Sequence, residues 1–188
     1  MKINIRLTGF ILVLMLVLSG CKEDTIVDLI HPETESQTED IILKKKEYEK
    51  YKVGDVLFIP FTNQLPWESY EQEYETYKLE LTAYKEENSD SEIVINSVSI
   101  EGNKAVKLDT IQKQLDITVE FTEETNHDSV LASRDTIVDV ISEENMNLTE
   151  SSVITVVINV SVKQNENTIT RDLSYKFVPR FRTYMVTR

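Results

Sequence analysis

Ile154-Thr155-Val156-Val157-Ile158-Asn159-Val160-Ser161-Val162 is the stretch on which the fold turns. Successive strand residues point to opposite faces, so Ile154, Val156, Ile158, Val160 and Val162 form one apolar row that a helix would scatter around its axis. Asn165-Glu166-Asn167 interrupts the run with turn-forming residues, and Thr168 to Phe177 resumes it with Leu173, Tyr175 and Phe177 facing inward. The pair predicts an antiparallel hairpin. Pro179 follows, and because proline cannot donate to a ladder, the second strand is expected to run along an edge or to bend there.

The same period extends upstream. Tyr77, Leu79, Leu81 and Ala83 alternate with Lys78, Glu80 and Thr82, which reads as a strand with one buried and one solvated face. Val94, Val98 and Ile100 alternate with Ile95, Ser97 and Ser99, with Glu101-Gly102-Asn103 expected as a turn. Leu115, Ile117, Val119 and Phe121 alternate with Asp116, Thr118 and Glu120 as a single amphipathic strand. Several antiparallel strands, no long helical pattern and no crossover pattern predict an all-β protein, an antiparallel β-sandwich over residues 53–188. Strand number and order resemble immunoglobulin-like domains, although the paired cysteines of antibody domains are absent and the single Trp67 lies in a loop-like stretch.

The N-terminal end has a different character. Lys2 and Arg6 precede an apolar run from Leu7 to Leu18, shorter than the ~20 residues a spanning helix needs. Leu18-Ser19-Gly20-Cys21 follows directly. A charged end, an apolar stretch and small residues before a cysteine resemble the lipobox of bacterial lipoproteins. The resemblance implies that residues 1–20 are a helical signal peptide, that cleavage falls before Cys21, and that lipid, including palmitate-type chains, is attached to the Cys21 thiol and the new amine. Several acyl chains, at ~0.8 kcal/mol per buried CH₂, make a stable membrane anchor where one is marginal. Cys21 is the only cysteine, so a lipidated chain has no disulfide and no thiolate metal site.

Residues 21–52 read as a polar tether. Lys22-Glu23-Asp24 and the stretch His31-Pro-Glu-Thr-Glu-Ser-Gln-Thr-Glu-Asp40 hold few apolar residues, and a short amphipathic helix is expected between Ile41 and Tyr51, with Ile41, Leu43 or Lys44, and Tyr48 on one face. A free chain of about thirty residues, at ~5–6 Å times the square root of its length, would hold the sandwich some tens of ångströms off the bilayer. The acidic start resembles the export signal after the lipidated cysteine of Bacteroidota surface lipoproteins. That likeness implies an extracytoplasmic protein on the outer membrane, facing the cell surface. Asp24-Thr25-Ile26, Asp109-Thr110-Ile111, Asp128-Ser129-Val130 and Asp135-Thr136-Ile137 resemble O-glycosylation acceptors of the same bacteria, which implies modification at Thr25, Thr110, Ser129 and Thr136. The same tripeptides also read as plain turn-then-strand chemistry.

Composition excludes several activities. The chain carries 20 basic and 33 acidic residues, a net charge of −13, and removal of residues 1–20 leaves 18 basic against 33 acidic, or −15. Such a surface repels phosphate backbones, so nucleic acid is not an expected partner. Of the two histidines, His31 falls in the tether and His127 in an acidic loop, neither with an evident partner, which disfavours His-based catalytic arrangements and transition-metal sites. Only Gly54 and Gly102 follow residue 20, so no glycine-rich loop can cradle phosphate. No cofactor, no metal and no catalytic residue is assigned.

Two acidic clusters carry alternatives. Glu68, Glu71, Glu73 and Glu75 surround Trp67, Tyr70 and Tyr74, a mixture that suits a carbohydrate platform of stacked rings or a pair of acids in a hydrolase. Read more plainly, it is a core edge with a solvated charged face. Glu123, Glu124, Asp128, Asp135 and Asp139 surround a long connection that offers oxygen ligands without calcium-loop spacing, and read as solvated. Arg171, Lys176, Arg180, Arg182 and Arg188 form a late basic segment expected to balance acidic strands of the same fold, the alternative being a local patch for an anionic partner. The leading expectation is a non-enzymatic cell-envelope lipoprotein that binds an envelope protein or serves a surface assembly. A glycan-binding lipoprotein and a carboxylate-dependent hydrolase are the alternatives.

Overall fold

A computed structural model of the chain describes residues 21–35, 37–44, 46–64, 76–102, 111–125, 129–133, 136–142 and 148–187. The fold is an all-β sandwich. Its strands are β1 (Cys21–Ile30), β2 (Lys52–Val53), β3 (Val56–Gln64), β4 (Thr76–Glu86), β5 (Glu92–Gly102), β6 (Ile111–Val119), β7 (Phe121–Glu124), β8 (Val130–Ser133), β9 (Thr136–Ser142), β10 (Ile154–Gln164) and β11 (Asn167–Thr187). A helix, α1 (Glu39–Lys44), and a 3-10 helix (Lys46–Tyr51) lie between β1 and β2. One sheet has the order β1-β11-β10-β5-β6, and the other β2-β3-β4-β8-β7 with β9 also paired to β4. The chain divides into two compact units, one running from Leu29 to Pro179 and one gathering residues up to Asp28 with those from Arg180 onward.

Within the larger unit the hairpin read from sequence sets the register. Ile154 pairs with Phe177, Val156 with Tyr175 and Ile158 with Leu173, and on its other side Val156 meets Ile100 and Ile158 meets Val98. All of these side chains are buried. Each such burial contributes about 1.5–3 kcal/mol relative to exposure. Asn165 turns the hairpin at φ 52°, in the left-handed region that asparagine tolerates better than most residues. The same core includes Val56 and Phe58 of β3 and Tyr77, Leu79 and Leu81 of β4, which the β3–β4 register puts on one face. The Tyr175 hydroxyl, buried among them, donates to the Phe58 carbonyl at 3.1 Å, so the ring is buried without an unmet polar group.

Several sequence expectations need correction. Val94 does not point inward with Val98: Ile93, Ile95, Val98 and Ile100 do, because a bulge at Asn96 inserts one residue into the alternation. Glu101 and Gly102 continue β5 and pair with β10 rather than turning. The row Leu115 to Phe121 is two strands, β6 and β7, in different sheets, with the chain changing sheet at Glu120. Glu80 and Thr82 are buried, since β4 is covered on both faces. Pro179 is not on an edge strand, for β11 lies between β1 and β10; it stands just past Phe177, the last residue paired with β10, where no β10 bond is lost.

The largest difference lies between residues 29 and 51. Leu29, Ile42, Tyr48 and Tyr51 belong to the core, so the sandwich starts at Leu29 rather than at Val53. Low apolar content hides this, because the segment buries few side chains, but two are tyrosines with large rings. The Tyr48 hydroxyl donates to the Glu33 carbonyl at 2.6 Å, which folds the turn at 31–35 onto the 3-10 helix.

Candidate functional site

Cys21 opens β1, while Leu18, Ser19 and Gly20 lie outside the described residues. Trp67, Tyr70 and Tyr74, and with them Glu68, Glu71, Glu73 and Glu75, also lie outside the described residues, as do Thr110, His127, Asp128 and Asp135. Thr25 is exposed on β1, Ser129 is exposed immediately before β8, and Thr136 opens β9 half-buried. Ser129 adopts φ 68° and its carbonyl accepts from the Glu87 N–H at 2.8 Å. Val130 begins β8, Thr136 begins β9 and Ile111 begins β6, as the turn-then-strand reading of three of the four tripeptides requires.

His31 is the polar residue the structure changes most. Expected in a solvated tether, it is 5% exposed. Its ring meets Tyr51, Tyr175 and Phe177 with centroids 5.6–5.8 Å away. Nδ1 lies 2.9 Å from Thr34 Oγ1 and Nε2 lies 3.3 Å from the Tyr51 hydroxyl. That hydroxyl donates to Glu33 Oε2 at 2.9 Å, so its oxygen can only accept from His31; Nε2 carries the proton and Nδ1 accepts from Thr34. Glu33 also meets Lys50 at 2.6 Å.

The electrostatics follow from this packing. Burial lowers the His31 pKa to about 4, with the nearby Glu33 carboxylate opposing the shift. Burial also raises the Tyr51 hydroxyl, reinforced by its bond to Glu33. Glu33 feels burial in the raising direction, but the Lys50 ammonium and the Tyr51 hydroxyl outweigh it and hold the carboxyl below its ordinary value. The result is a neutral imidazole with both nitrogens bonded to protein, which offers no lone pair to a substrate proton. Its chemistry is that of a clasp holding the 31–51 segment on β11.

Two further polar groupings lie in the larger unit. Asp139, expected in a solvated loop, is buried in β9 and pairs with Lys113 of β6, a bridge from one sheet to the other. Lys85 donates to the carbonyls of Ser89 and Ser91 at 3.1 and 3.0 Å, with its ammonium 4.5 Å from the Phe121 ring centroid. Asp55 accepts from the Ser91 hydroxyl at 2.8 Å at the same turn. Lys85 and Asp55 are thus satisfied within the fold. Among the described residues no group of three or more His, Cys, Asp or Glu is placed to hold a metal ion. No helix among them is long and apolar enough to cross a membrane.

In the smaller unit, Asp28 of β1 binds the Arg182 guanidinium through two contacts, Nε to Oδ2 at 2.5 Å and Nη2 to Oδ1 at 2.8 Å. Arg180 approaches the same carboxylate at 3.5 Å. The hydrogen bond from Arg182 is the main reason the Asp28 carboxyl stays below its usual value. Two of the late basic residues are thus balanced within the chain. The sequence signal for this pairing is one acidic residue in an otherwise apolar stretch, Ile26-Val27-Asp28-Leu29. No family model, no curated protein and no solved structure matches the chain.

Proposed function

We propose that the protein is a lipid-anchored, non-enzymatic lipoprotein of the bacterial cell envelope, whose β-sandwich binds another envelope component. The observation that carries this reading is the sequence Leu18-Ser19-Gly20-Cys21 behind a charged and apolar leader. Two features of the fold support it. Cys21 stands at the first position of β1, so a cleavage before it removes none of the described strands. The one well-described cluster that mixes a histidine with a carboxylate and a hydroxyl is spent on packing, with His31 neutral and bonded at both nitrogens.

Mass spectrometry of the N-terminal peptide from the chain expressed in a bacterial host tests the reading. The expected peptide starts at Cys21 and carries diacylglyceryl and acyl groups, and Cys21→Ser yields an unprocessed precursor. An unmodified Cys21, or a chain still joined to residues 1–20 in the presence of the wild-type cysteine, would overturn it. Pull-down from detergent-solubilised envelope then identifies the bound component, with a glycan array as the arm for a saccharide ligand.

A further inference from the structure

Cys21 does not end a free tether, because it is the first residue of a ten-residue strand that lies beside β11. The direction of that pairing follows from two observations. Asp28 is clasped by Arg180 and Arg182, which share one face of β11, so it stands opposite one of the two and diagonal to the other. The compact unit that ends at Asp28 contains Arg180 to Arg188. A parallel arrangement would set residues 21–28 against 173–180 or 175–182, mostly outside that unit; an antiparallel one sets them against β11 from Arg180 or Arg182 onward, inside it. Seven residues back from Asp28 to Cys21 therefore correspond to seven residues forward along β11, and Cys21 comes level with the last residues of that strand.

We infer that the lipid anchor is carried by a two-stranded antiparallel ribbon, and that the Thr187 end of β11 is held against the bilayer surface beside the lipidated Cys21. The inference rests on the lipoprotein reading for its membrane half and on strand pairing alone for its ribbon half. At ~3.3 Å per residue, the seven steps from Cys21 to Asp28 span roughly 23 Å of paired backbone. Pairing removes the conformational freedom that a tether of the same length would have. The partner this end of the ribbon meets is a lipid headgroup layer, brought within reach by acyl chains on Cys21 itself.

Two measurements separate the halves. Nitroxides at Thr25→Cys and Thr183→Cys, both exposed positions, are placed in the Cys21→Ser protein expressed from residue 21. Antiparallel pairing puts them on one face of the ribbon, directly opposite or diagonal, within about 10 Å, from a strand spacing of about 4.8 Å and an offset of at most two residues. Strong dipolar broadening, absent from each single-label protein, is expected; sharp lines of mobile labels would overturn the ribbon whatever the lipid state. In the lipidated protein the Cys21 thiol is consumed, so a fluorophore on Thr187→Cys is the sole label. In vesicles of phosphatidylethanolamine and phosphatidylglycerol, headgroup-nitroxide lipid is expected to quench it severalfold more than it quenches the same probe on the Cys21→Ser protein. Equal quenching with acylation verified by mass would overturn the membrane contact. An unacylated Cys21 sinks the lipoprotein reading and the membrane contact together, and the broadening then judges the ribbon alone.

Discussion

His31 combines burial with titration in the range where proteins are handled. Its unfolded value is near 6.5 and its folded value about 4, so between those limits the unfolded chain binds the extra proton. The stabilisation from holding this imidazole neutral is complete above about pH 6.5. It is lost as pH falls toward about 4, with a linkage total on the order of 3 kcal/mol. Urea denaturation of the soluble Cys21→Ser protein at steps between pH 7.5 and 4.5 is expected to show the decline. His31→Phe should flatten it while costing about 1–3 kcal/mol at pH 7.5, because Thr34 and Tyr51 lose their partner. An unchanged slope in His31→Phe would assign the acid sensitivity to carboxylates such as Glu33 and Asp28. Gly54 gives a second test at this scale. It adopts φ +61°, and a Cβ there would sit 3.1 Å from Gln164 Oε1. Gly54→Ala is expected to destabilise by about 1–2 kcal/mol, read as a lower denaturation midpoint at unchanged m-value.

Elements show what the sequence made legible and what it hid. Where one face is buried and alternation is unbroken, as in Ile154 to Val162, period and burial agree residue for residue, whereas over Tyr77 to Ala83 the apolar row is buried but Glu80 and Thr82 are buried with it. Alternation misleads where the backbone breaks step, and the Asn96 bulge inverts the assignment of Val94 and Ile95 without any composition signal. That bulge has side-chain support: Asn96 Nδ2 donates to Asn159 Oδ1 at 2.7 Å and Ser161 Oγ at 2.8 Å on β10. The segment 29–51 was hidden for another reason, since its polarity averages over a few deeply buried rings. Of the candidate site residues, Cys21, Thr25, Ser129 and Thr136 fall on strands or at their starts, whereas the clustering of His31 with Tyr51 depends on contacts across many residues that no local pattern contains. A soluble chain starting at Val53 tests the element directly. Lacking Ile42, Tyr48 and Tyr51, it leaves the Tyr175 and Phe177 rings uncovered and is expected to lose its cooperative melt or to aggregate. A melt equal to that of the chain starting at residue 21 would restore the tether.

At the scale of the whole molecule, charge acts against compactness. The chain from residue 21 carries 33 acidic and 18 basic residues, and folding draws the surplus of like charge together. Opposing this are ion pairs such as Lys163–Glu92, Lys52–Glu49, Lys50–Glu33 and Arg182–Asp28. They are solvent-exposed or partly so, and each is worth little. Salt screens both contributions, with a Debye length falling from about 30 Å at 0.01 M to about 8 Å at 0.15 M. Because contact pairs are screened less than repulsion between charges a Debye length apart, the repulsion is relieved first, and salt should stabilise. For the soluble Cys21→Ser protein at pH 7.5, moving from about 0.01 to about 0.15 M NaCl is expected to add roughly 1 kcal/mol, or about 2–4 °C in Tm. A falling Tm would mean that the ion pairs outweigh the surplus. Reversing one unpaired exposed acid, with Glu150→Lys as the variant, should raise Tm at low salt and leave it nearly unchanged at high salt, which distinguishes long-range repulsion from a change in local packing.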